Sequence, residues 1–245
     1  MEAGTYVDAL EREGRLVANA APGNLDRPVA ACPGWVVADV VGHLGRVYRS
    51  VTDIVGHRLV DQPSTRVPKP PAGDEVVDFF TSGLAGLVDV LRTTPAHVPV
   101  ITWGSVGEVG FYHRRMAHET GAHRFDVQTA CGSVDPFDGD IAADGVSELY
   151  EVVLPFGLSR NNKAHPGESG PGGSLHLHRT DGPGEWTLEM VDGSLRVGTA
   201  HGKATAAVRG PASDLFVFAW NRGRSDSLEV FGDEAVAEAW AHLAP

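Results

Sequence analysis

Residues His118-Glu119-Thr120-Gly121-Ala122-His123-Arg124-Phe125-Asp126 decide how this chain reads. They lie within a segment, roughly Gly110 to Ala130, that carries helical periodicity. Glu119 and His123 stand four residues apart and so share one helix face. Tyr112, Met116, Glu119, His123 and Val127 follow at spacings of four, three, four and four. The two polar side chains continue an apolar stripe, so they are expected to point into a helical core. A carboxylate there is costly unless it is paired or coordinates a metal. His118 falls one residue off the stripe and is set aside.

An earlier helix supplies a third donor. His43 follows Val36 and Val40 and precedes Val47, again on the inward side. His43, Glu119 and His123 together make a His₂Glu set with an open fourth position, the pattern of catalytic zinc. Nitrogen and oxygen donors also suit nickel, manganese or iron, so zinc is the first expectation among divalent ions. Spacing alone more often means an exposed ion pair on one helix, and a lone histidine on an apolar face more often a hydrogen-bonded core residue than a ligand. The inward stripes favour the metal. Asp126, one turn after His123, suits orienting its imidazole, or else a surface ion pair.

Around these residues the first part reads as four helices. One runs from about Gly4 to Asn19. A second follows Pro33-Gly34-Trp35 and ends near Leu59. A third opens at Asp74, a possible N-cap, and stops before Pro95. The segment around Glu119 is the fourth, and a shorter helix follows from about Ala142 to Leu154. The stretch from Gln62 to Gly73 holds four prolines and reads as a long crossover. Helices so connected suggest an antiparallel bundle.

The pattern changes after Gly157. Asn161 to Ser174 is rich in Gly, Pro and Asn and marks a loop or boundary. Residues 174–179, 185–190 and 194–197 alternate apolar and polar, and Asp192-Gly193 and His201-Gly202 separate segments as turns. Ala204 to Val208 is a further strand. Ser213 opens a helix through Trp220, and Asp233 opens a last one through Leu243. The expected fold is α+β in two domains, a helical bundle over 1–160 and a small α+β domain over 174–245.

The bulk numbers exclude several functions. The 245 residues carry a formal net charge of −12 with scattered basic residues, a poor match to nucleic acid or anionic membrane. Hydrophobic residues make up 42%, enough for a packed core. No apolar run spans a bilayer, and no signal peptide opens the sequence. Cys32 and Cys131 are isolated, which suits a reducing compartment. A cytoplasmic protein is the expectation, monomeric by default.

Pro33-Gly34-Trp35, Asp39 and Val41-Gly42-His43-Leu44 resemble the opening motif of the mycothiol-dependent maleylpyruvate isomerase family. Arg114 to Glu119, running into His123-Arg124-Phe125-Asp126, resembles its second motif. The C-terminal part is similar to that family's small α+β domain, with Phe216 to Arg222 in a helix. The resemblance implies a DinB-like four-helix bundle with His43, Glu119 and His123 as metal ligands. It implies mycothiol, a small thiol of actinobacteria, as cosubstrate. A nearby cation stabilises the thiolate, which is the nucleophile. Addition to an activated double bond, rotation and elimination would give cis–trans isomerisation. Displacement of a leaving group or opening of a strained ring would give S-transfer. The chain departs from the family at Val36, where Ser or Thr would cap the helix. Gly42 and Gly121 are expected to make room for a bulky ligand.

Arg222, in Trp220-Asn221-Arg222-Gly223-Arg224, is the candidate anchor for an acidic substrate, with an ordinary ion pair as the alternative. Cys32 reads as a structural cysteine, Trp35 and Trp103 as packing residues. His57, His97, His113 and His201 read as solvated or loop histidines. Two other functions compete: a non-catalytic small-molecule binding or resistance protein, and a hydrolase using a metal-bound hydroxide. No separate general base supports the hydrolase.

Overall fold

Helical periodicity and core burial agree closely in the computed structural model, which describes residues 1–61, 67–164 and 171–244. Four helices build the first part: α1 (Ala3–Ala20), α2 (Val37–Gly56), α3 (Glu75–Thr93) and α4 (Val109–Cys131). Helix α1 packs on α3 and α4, and α2 packs on the same two, so the ring order is α1–α3–α2–α4. The predicted stripes fill the centre: Leu10, Val40, Leu44, Phe80 and Leu87 are fully buried. Each such side chain contributes about 1.5–3 kcal/mol. Glycine sets how closely α3 approaches its neighbours. A Cβ on Gly14 would lie 2.5 Å from Leu84, and one on Gly45 2.6 Å from the Phe79 ring.

Helix α4 is buried on most of its circumference, including Arg115, His118, Arg124 and Asp126. Arg124 donates from Nε to Glu13 of α1 at 2.6 Å and from Nη1 to Gln128 at 3.0 Å. These bonds make a charged residue tolerable at zero exposure. A hairpin of β1 (Pro99–Ile101) and β2 (Val106–Glu108) precedes α4. The sequence reading missed it, because three-residue strands are too short to show alternation. Residues 62–66 of the proline-rich crossover lie outside the described residues.

The chain divides by contacts into Met1–Asp135 and Pro136–Pro245, whereas the sequence reading divides it between 160 and 174. The segment that moves across is helical: α5 (Gly139–Glu148), a π-helical turn (Leu149–Val153) and α6 (Leu154–Ala164). The expected helix ended near Leu154, with a loop from Asn161. Pro155 explains the misreading. It removes a donor inside a continuous helical run, and the wider π turn just before it takes up the interruption. The segment holds to the second unit through Trp220 Nε1 to Gly145 O (3.1 Å) and Trp186 Nε1 to Ser147 Oγ (2.8 Å). Residues 165–170 of the expected loop lie outside the described residues.

The second unit is built on a five-stranded sheet of order β5-β4-β3-β6-β7. Its strands are β3 (Leu175–Arg179), β4 (Glu185–Val191), β5 (Ser194–Gly198), β6 (Ala206–Gly210) and β7 (Glu229–Gly232). Among the described residues only β3 and β6 run parallel. The α7 (Ala212–Ala219) and α8 (Glu234–Ala241) helices pack against β3 and β6. Leu175, Leu177, Trp186, Leu188 and Val208 are buried in this unit. Asp233 caps α8 as expected, accepting from Ala235 N and Val236 N. Ser213 does not cap α7. Pro211 holds the N-cap position, and Ser213 Oγ accepts from Phe137 N at 3.1 Å.

Candidate metal centre

Local chemistry places His43. Pro33-Gly34 forms a turn closed by Trp35 N–H to Cys32 O at 2.9 Å, with Gly34 at φ +84°. That positive φ is what glycine supplies at this turn position. Helix α2 starts two residues later. The expected loss of its cap is only half right: Val36 offers no side-chain acceptor, but Asp39 Oδ2 still accepts the Val36 N–H at 2.9 Å. His43 then lies two turns into α2, facing α4.

The three expected donors come together although 76 residues separate the first two. His43 Nε2 lies 3.0 Å from Glu119 Oε1, and His123 Nε2 lies 3.6 Å from the same oxygen. All three donor atoms fall within 4.8 Å of one another. Glu119 Oε2 accepts from Arg115 Nη2 at 3.1 Å. His123 Nδ1 is held by Asp126 Oδ2 at 3.0 Å, which leaves Nε2 turned toward Glu119. The Trp35 ring stands 5.4 Å from His43 and 6.5 Å from His123, stacked on the latter. Behind the donors, Tyr48 and Thr120 join α2 to α4 through a 2.7 Å hydroxyl pair.

The donors do not point into the bundle centre. Their side chains are 33%, 23% and 12% exposed for His43, Glu119 and His123. The reason lies in α4, whose buried side includes His118, against Tyr6 of α1 at 6.0 Å. Glu119 and His123 are turned to the α2 side and reach the rim. A rim position suits a site that must admit a ligand. Burial pushes the Glu119 carboxyl up, but His123, His43 and Arg115 outweigh it and hold it well below the carboxylate range. Burial pushes His123 down, but Asp126, Cys32 and Glu119 hold it well above the usual imidazole value. Two imidazoles on one ionised carboxylate are a donor set that fits a divalent ion.

A cleft of about 630 Å³ opens beside His43, lined by Trp35, Asp39, Arg46 and Pro70 among others. Gly42 was expected to make room for a ligand. A Cβ there would instead lie 3.0 Å from Pro70, so the glycine admits the crossover. Gly121 is buried within α4.

The chain matches the mycothiol maleylpyruvate isomerase N-terminal domain over residues 7–128 and the MDMPI C-terminal domain over 140–239. It belongs to the mycothiol maleylpyruvate isomerase family. Two solved structures share its fold, the mycothiol-dependent maleylpyruvate isomerase and a histidine-to-alanine mutant of it. Their TM-scores are 0.59 and 0.62, at 16% identity, covering 94% of this chain and 93% of theirs. No curated protein is significantly similar to the chain in sequence.

Arg222 belongs to the second unit, half-buried after α7, and donates from Nη1 to Trp220 O at 2.6 Å. Cys32 is half-buried and lies 3.8 Å from Asp126 Oδ2, beside the His123 imidazole. His113 is not solvated: it is 2% exposed and reaches the Val109 and Leu91 carbonyls at 3.0 Å each. His201 also has a partner, Glu185 at 3.1 Å. Arg46 was missed. It is exposed one turn after His43 and makes no ion pair with the described residues. Its i+3 spacing from His43 was the available signal.

Proposed function

We propose that this chain is a metal-dependent enzyme that uses a small thiol of the mycothiol type to act on an electrophilic small molecule. The observation that carries the reading is the meeting of His43, Glu119 and His123 on one carboxylate oxygen at a bundle rim. These residues would hold one divalent ion, zinc by first choice, and three protein ligands leave a coordination position open. Bound there, the ion would supply the positive charge that favours thiolate over thiol at neutral pH. The thiol would supply a nucleophile for an activated double bond, giving isomerisation, or for a leaving group, giving S-transfer.

The chain's own residues do the positioning. Asp126 fixes the His123 ring so that Nε2 is the free nitrogen. Arg115 orients Glu119 through its second oxygen. Trp35 covers the imidazoles and keeps bulk water off one side. Arg46, in the cleft, is proposed as a carboxylate anchor for an acidic substrate, and Arg222 is proposed as a second anchor from its place in the sequence alone. Thiol chemistry of this kind suits a reducing compartment, in keeping with the unpaired Cys32 and Cys131. No helix among the described residues is long and apolar enough to cross a membrane.

The test is metal content of wild type and His43→Ala, then turnover of electrophiles with and without added thiol. Loss of one zinc in the variant, with turnover that needs thiol, supports the proposal. Saturable binding of electrophiles without turnover would replace it by a binding protein.

A further inference from the structure

Three imidazoles of the second unit converge on one carboxylate. His176 and His178 lie two apart on β3, so both leave the same face of the sheet, opposite Leu175 and Leu177. Glu185 sits directly across from His178 in the β3–β4 register. His201 comes from the loop after β5. Glu185 Oε2 lies 3.1 Å from His176 Nε2 and 3.1 Å from His201 Nδ1, and Oε1 lies 3.2 Å from His178 Nδ1. The imidazole centroids are 5.1 to 6.3 Å apart. All four donor atoms fall within 4.8 Å of one another.

We propose that His176, His178, Glu185 and His201 form a second divalent-metal site, of the zinc class, separate from the one at Glu119. Hydrogen bonding alone accounts poorly for this cluster. A surface carboxylate is satisfied by water, yet here it draws three aromatic rings into edge contact. Four donors around one point are what a tetrahedral ion takes. Three nitrogens and one carboxylate oxygen select zinc, nickel or copper over magnesium or calcium. The cation on β6 beside His178 does not compete for Glu185. Arg209, opposite His178, is paired with Glu229 at 3.1 Å.

The donors grade from inside to outside. Side-chain exposure is 5% at His176, 24% at Glu185, 34% at His178 and 77% at His201. An ion can enter from the His201 side and be closed in by that residue. With four protein ligands no position is left for substrate, so the site is structural. It would clamp the loop after β5 onto β3 and β4, joining three pieces of chain that no disulfide links. An ion that binds only the folded form raises its stability by mass action.

The experiment uses the full chain, stripped with a chelator and titrated with zinc against a chromophoric competitor. Wild type is expected to take two equivalents per chain. His178→Ala is expected to take one, and His43→Ala one. His201→Ala, at an exposed loop position that folding does not need, should weaken one equivalent at least about tenfold. It should also remove part of the zinc-dependent rise in melting temperature while leaving the stripped protein's melting temperature unchanged. If His178→Ala and His201→Ala bind as much zinc as wild type, with the same affinities, the second site does not exist. If His178→Ala loses an equivalent and His201→Ala weakens one while His43→Ala changes neither, the second site stands and the proposed centre at Glu119 fails.

Discussion

Glu119 and Glu185 each gather histidines, and they do so by opposite routes. Glu119 has one histidine a helical turn along α4 and another on α2, so its cluster depends on two helices packing correctly. Glu185 takes two from a single strand and one from a loop, so most of its cluster follows from one hairpin register. The first offers three donors and borders a cleft. The second offers four and closes on itself. Donor count and access are what separate the turnover proposed for the first cluster from the bracing proposed for the second, although the ligand types are the same.

The largest expected effect tests the dependence of the first cluster on helix packing. Arg124→Met would leave Glu13 buried with, among the described residues, Arg12 as its remaining partner at 3.0 Å. Breaking such a buried pair costs about 3 kcal/mol or more. Urea unfolding should show that loss, and zinc retained at Glu119 should fall with it. No change in stability would mean that α4 is held by its apolar contacts alone.

Asp126→Asn probes orientation without removing a ligand. Zinc affinity at Glu119 should fall roughly tenfold to a hundredfold, with the Glu185 equivalent untouched. Competition titration of both equivalents reads this directly. Equal weakening of the two would show that the clusters are not independent. Tyr48→Phe removes the hydroxyl pair between α2 and α4 and leaves Thr120 buried. A loss of about 1 kcal/mol in unfolding free energy is expected, with a small drop in zinc affinity at Glu119 alone.

Cys32→Ser should change neither equivalent. Cys32, His123 and Asp126 also lie within coordinating distance of one another. Asp126 and His123 Nδ1 already bond each other, so the proposed ion sits on the Nε2 side. Loss of zinc in this variant would move the ion to the other nitrogen.

The two regions also differ in how legible they were. The helical stripes around His43 and Glu119 were readable because each spans several turns, and the i,i+4 spacing of Glu119 and His123 is a local property. The His176-Leu177-His178 alternation was equally local, and it was read as strand pattern without its chemistry. Histidines two apart on a strand share a face, and that was the available signal. His201 carried no signal at all. It joins Glu185 only because β4 and β5 fold back on each other.

By itself the sequence determined the secondary elements long enough to repeat their period, the helical then stranded order, and which residues share a helix face. Those follow from bond geometry over a few residues. Tertiary structure decided the rest. It brought His43 to Glu119 across 76 residues, turned α4 so that its donors meet the rim, and drew the helix around Pro155 into the second unit. Each depends on which surfaces pack against which, and that is set by the shapes of side chains far apart in the chain.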